Sequence, residues 1–66
     1  MKLSENTIIE IETILNDLRN YTYKFSTICH ILKIDWHTDL GQEVGNIIAE
    51  DNISNYTKIS QLKGLK

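Results

Sequence analysis

Cys29, His30, His37 and Asp39 form the one cluster of metal-ligating side chains in this sequence. A zinc site needs three or four convergent ligands, usually supplied by paired spacings such as Cys-x-x-Cys or His-x-x-x-His. The cluster contains no such pair, and on a helix neighbouring residues point about 100° apart, so Cys29 and His30 diverge. The expectation is a buried structural cysteine with surface histidines, and neither metal nor cofactor unless subunits complete a site between them.

The second group is acidic. Asp35, Asp39, Glu43, Glu50 and Asp51 occupy residues 35–51, a stretch without Lys or Arg. General acid–base catalysis needs such carboxylates held in a dry cleft, and a chain of 66 residues has little room for one. Nothing in it matches a phosphate loop, a nucleophile elbow or a dinucleotide fingerprint. No catalytic residue is expected, and the protein is read as a non-enzyme. A solvated acidic face steers basic surfaces, and Tyr21, Tyr23, Trp36 and Tyr56 are of the kind enriched in binding hot spots. Trp36, Asp39, Glu43, Glu50 and Asp51 are therefore the expected contacts to a larger protein with a basic surface.

The tail has the opposite sign, with three lysines and no acid in residues 52–66. The run from Ile48 to Lys63 resembles a helix-turn-helix whose reading helix would be Ser54 to Lys63. It departs from that pattern by one residue between Ala49 and the turn, and by Asn52 where a turn glycine is usual. The resemblance implies Asn55, Tyr56, Lys58 and Lys63 as nucleic-acid contacts, since such side chains reach phosphates and base edges. Three lysines beside five acids are a weak electrostatic footprint, so a small dimeric DNA-binding regulator is the alternative function.

The elements that must position these residues begin with one stripe. Ile8, Ile11, Leu15, Leu18, Thr22, Phe25, Cys29 and Leu32 recur at alternating steps of three and four, the period of one helix face. Ile14, Tyr21 and Ile28 widen it. The pattern predicts a first helix over about residues 7–34, opened by the capping spacing of Thr7 and Glu10 and roughly 40 Å long. Tyr21 to Thr27 is rich in residues of strand preference, but no other segment alternates cleanly enough to pair with it, so the helix is kept. A kink or break would fall near Asn20 to Thr22.

A second helix is expected over about residues 38–50, with Gly41 and Gly45 marking close helix approach, and a short third over about 55–63 between Ser54 as cap and Gly64 as stop. The later helices are too short to cover the first. Its stripe then calls for a second copy of the chain, through Ile8, Ile11, Leu15, Leu18 and Phe25.

Composition limits the rest. A chain this short forms one domain, residues 1–66, with a thin core. One cysteine, no secretory leader and no long apolar run predict a reducing, cytoplasmic setting without membrane insertion. Eleven Ile against one Val and one Ala suggest AT-rich coding, as in a low-GC bacterium or its phage. Together these features predict an all-α fold, a helical hairpin or three-helix bundle with a long first helix. The expected role is a regulatory adaptor or inhibitor that acts as a homodimer.

Overall fold

Helix boundaries in this chain are set by side chains that compete with the backbone for hydrogen bonds. The computed structural model describes residues 1–65, so Lys66 of the expected single unit lies outside the described residues. There are four α-helices, α1 (Glu5–Leu15), α2 (Tyr21–Leu32), α3 (Asp39–Ala49) and α4 (Asn55–Lys63), and no strand among the described residues. Each helix opens on a side-chain cap: Ser4 Oγ accepts from Thr7 N, Asn20 Oδ1 from Tyr23 N, Thr38 Oγ1 from Gly41 N and Ser54 Oγ from Thr57 N. Such caps satisfy amides that have no partner inside the helix. The first helix thus starts at Glu5, capped by Ser4, rather than at Thr7.

The expected long first helix is corrected to two helices. Asn16 caps the C-terminus of α1, Asp17 Oδ1 accepts from the Arg19 amide at 2.9 Å, and Asn20 opens α2. Asn and Asp offer the backbone local partners that a helix interior does not. Three of them in five residues end the rod before the Tyr21 to Thr27 segment, which is helical. Folding back also buries the stripe on itself: Ile11 and Leu15 of α1 share one core with Ile28 and Cys29 of α2.

Turns of five, six and five residues join successive helices. Contacts join α1 to α2, α2 to α3, α3 to α4 and α4 back to α1, which closes a ring around the core. Val44, Ile48, Ile59 and Leu62 complete that core. The molecule measures 25 × 24 × 20 Å, with a radius of gyration of 10.5 Å, close to the roughly 11 Å expected of a compact chain of this length. The rod of about 40 Å and the three-helix count are therefore both replaced by a small four-helix bundle.

Two lysines tie the ring together. Lys24 Nζ, in the first turns of α2, donates to Leu15 O at the end of α1 at 3.1 Å. Lys58 Nζ, placed alike in α4, donates to Ile48 O near the end of α3 at 3.0 Å and is buried. A cation near a helix N-terminus opposes the helix dipole, whereas one at a C-terminus is favoured. Each lysine resolves that conflict by reaching back to the preceding helix. At the other end the Met1 ammonium donates to the carbonyls of Lys63 and Leu65, so α1 begins beside the end of α4.

Candidate functional site

The turn between α2 and α3 is fixed by a backbone reversal and five hydrogen bonds. Lys33 adopts φ 58°, the left-handed conformation that commonly ends a helix, and the Ile34 amide donates to Cys29 O at 2.9 Å. Asp35 Oδ1 accepts from the His37 amide at 2.9 Å, and Thr38 Oγ1 donates to Asp35 O at 2.7 Å. Thr38 Oγ1 also accepts from the Gly41 amide at 3.1 Å, and Gln42 Nε2 donates to Trp36 O at 2.8 Å. Trp36 is thereby presented from an ordered backbone.

Small residues on α3 make room for it. A Cβ on Gly41 would meet the backbone of the turn, overlapping Asp35 O and standing 2.6 Å from Trp36 Cα. A Cβ on Gly45 would stand 2.8 Å from the Tyr21 hydroxyl and 3.2 Å from the Phe25 ring. The two glycines therefore do mark a close approach, of the turn at Gly41 and of α2 at Gly45.

Along this seam the aromatic rings form a row. Tyr21 stacks on Phe25 at 5.6 Å between centroids, Phe25 meets Trp36 edge-on at 6.4 Å, and Trp36 lies 3.7 Å from His37. Phe25 is half-buried, but Trp36 keeps 50% and Tyr21 44% of its surface exposed. Aromatic rings held rigidly and still half in water retain much area to bury against another molecule.

The opposite side of α3, away from Gly41 and Gly45, carries an acidic stripe. Asp39, Glu43 and Glu50 fall within about 40° of one another at 100° per residue, on the outward side of α3. Asp35, Asp39, Glu43, Glu50 and Asp51 are all exposed. Among the described residues the one ion pair is Arg19 with Asp17, at 3.8 Å, so none of these five carboxylates has a cation against it. Asp39 suits the N-terminus of α3, while Glu50 and Asp51 oppose the dipole at its end, and Asp39 and Glu43 repel each other four residues apart. Local stability does not account for this arrangement.

A shallow groove of about 880 Å³ adjoins Trp36, lined by Ser26, Thr27, Cys29, His30, Lys33 and Asp35 among others. Burial raises the pKa of the Cys29 thiol at its floor, and the negative charge of Asp35 adds to the effect. A protonated, buried thiol is a poor nucleophile and a poor ligand. Cys29 is buried while His30, His37 and Asp39 are exposed, and among the described residues no three His, Cys, Asp or Glu side chains converge on a possible ion.

The remaining expected site residues scatter. Of the expected dimer seam, Ile11 (0% exposed) and Leu15 (6%) lie in the chain's own core, and Ile8 and Phe25 pack against it. Leu18 is fully exposed in the turn between α1 and α2. The uncovered stripe that called for a second copy is absent along Ile8 to Leu15, because the break lets α2 cover α1. Of the expected nucleic-acid contacts, Tyr56 and Lys63 are exposed, but Asn55 Nδ2 donates to Asn16 Oδ1 at 2.8 Å and Lys58 is turned inward onto Ile48 O.

Comparison of the chain with protein-family models, with curated proteins and with solved structures returns no match. Among the described residues no helix is long and apolar enough to cross a membrane.

Sequence reasoning passed over Lys24 and Lys58 as structural residues. The available signal was a lysine at the fourth position of a helix that opens on a cap, where the dipole disfavours it, shortly after another helix ends.

Proposed function

We propose that this protein is a non-enzymatic interaction module, a regulatory adaptor or inhibitor, whose binding face is the Trp36 turn together with the outer side of α3. The observation that carries the reading is the half-exposed Trp36 in the turn that leads into α3, whose outer side bears exposed carboxylates with no cation of their own. Tryptophan supplies the apolar anchor typical of a hot spot. Asp39, Glu43, Glu50 and Asp51 supply a field that attracts a basic surface and sets its orientation. The partner is a protein that presents lysines and arginines around an apolar pocket or side chain.

Recognition of this kind predicts two separable effects. Trp36→Ala removes the anchor and shortens the lifetime of the complex, while Glu43→Lys reverses part of the field and slows association. The test captures partners on the immobilised protein from the cells that make it, in parallel with both variants and at rising salt. A basic protein held by the native chain, lost with Trp36→Ala and weakened by Glu43→Lys and by salt, supports the reading. Capture unchanged by both substitutions contradicts it.

The helix-turn-helix alternative has less behind it. Lys58, one of its phosphate contacts, is occupied inside the bundle, which leaves Lys63 as the one exposed lysine of α4.

A further inference from the structure

The end of the bundle away from Trp36 holds a second pocket, of about 360 Å³, between the N-termini of α2 and α4 and the C-terminus of α3. Tyr21, Lys24, Ile48, Ala49, Asp51 and Lys58 line it. Lys58 is 9% exposed, and a buried ammonium is stable only when its charge and its donors are answered. Each ammonium has three N–H donors. Among the described residues Lys58 uses one on Ile48 O and Lys24 uses one on Leu15 O. Both acceptors are neutral carbonyls, and no carboxylate oxygen lies within 4.0 Å of either ammonium. Asp51, the one acid on the pocket wall, is exposed. Two lysines therefore line one pocket, each ammonium with donors to spare, and exceed the acid there by one charge.

From this arrangement we infer that the pocket is a binding site for a small oxyanion, the carboxylate or phosphate group of a ligand. Its oxygens accept from Lys24 Nζ on the α2 side and Lys58 Nζ on the α4 side, with the Tyr21 hydroxyl as a further donor. Charge-assisted bonds to an oxyanion are stronger than those to a neutral carbonyl. A bound anion also crosslinks α2 to α4 across the end of α3. Asp51 borders both this pocket and the acidic side of α3, but the two lysines lie at the end of the bundle away from Trp36.

The test is a titration of the full chain, followed by amide and lysine side-chain NMR, with sodium acetate in one series and inorganic phosphate in another. Ionic strength is held constant with chloride. Saturable shifts at Tyr21, Lys24, Ala49 and Lys58 with one or both anions are expected, and the more tightly bound anion identifies the ligand group. Lys24→Gln, which leaves the more deeply buried Lys58 in place, is expected to weaken binding at least tenfold. Tyr21→Phe, which leaves both lysines intact, weakens it to a smaller extent. Shifts that stay linear and match those of chloride overturn the inference, as does saturable binding that Lys24→Gln leaves unchanged.

Discussion

The ammonium of Lys58 donates to the carbonyl of Ile48 at 3.0 Å, so the first turns of α4 close the last turn of α3. Lys58→Met keeps the aliphatic stem and leaves that carbonyl without its partner. The expected loss is about 1–3 kcal/mol of unfolding free energy, read as a lower urea midpoint at unchanged slope. Lys24→Met, at the less buried counterpart on Leu15 O, loses less.

Gly41 and Gly45 separate two kinds of close approach. Alanine in a helix interior gains about 1 kcal/mol over glycine, but at Gly41 the added methyl meets the backbone of Asp35 and Trp36, which cannot step aside. Gly41→Ala is expected to destabilise by about 1–3 kcal/mol and to shift the fluorescence of Trp36, the single tryptophan. Gly45→Ala meets a tyrosine hydroxyl and a ring edge, side-chain atoms that can give way, so thermal melts should place it between the native protein and Gly41→Ala.

Ile11 and Leu18 belong to one stripe in the sequence and to opposite environments in the fold. Ile11→Ala empties a fully buried site and should cost about 2–5 kcal/mol. Leu18→Ala, at a fully exposed turn, should stay within about 0.5 kcal/mol. Sedimentation at tens of micromolar protein is expected to give a folded monomer, since Ile11 and Leu15 are already covered.

This contrast also marks how far the sequence was legible. Periodicity is a local signal, and with the capping residue types it identified the helical segments, the cap at Ser54 and, to within a residue, the bounds of α3 and α4. It could not distinguish a stripe covered by a second copy from one covered by the same chain folded back. That choice rested on Asn16, Asp17 and Asn20, each tolerable alone in a helix and decisive together. The acidic face and Trp36 were readable because exposed charge is written in composition. The lysine ties and the pocket between them were not, because they join residues nine and ten positions apart across turns.

Cys29 gives a pH dependence. Burial, with the nearby charge of Asp35, holds its thiol pKa above the ordinary value, so the folded protein keeps a proton that the unfolded chain releases above about pH 8.5. The unfolded state then binds fewer protons, and stability falls as pH rises through that range toward the raised pKa. Denaturation of Cys29→Ala should show a smaller fall over the same interval. A thiol reagent at neutral pH should label the native protein far more slowly than the unfolded one.

The proposed function rests on one face, and site-directed photo-crosslinking in the native cell reports on that face directly. A reactive group is placed at Gln42, whose side chain bonds to Trp36 O, and in a separate protein at Glu12 on the exposed side of α1. The account predicts a discrete adduct with a basic protein from position 42 that disappears when Trp36→Ala is added. The same adduct from both positions, or one at position 42 that survives Trp36→Ala, would contradict it.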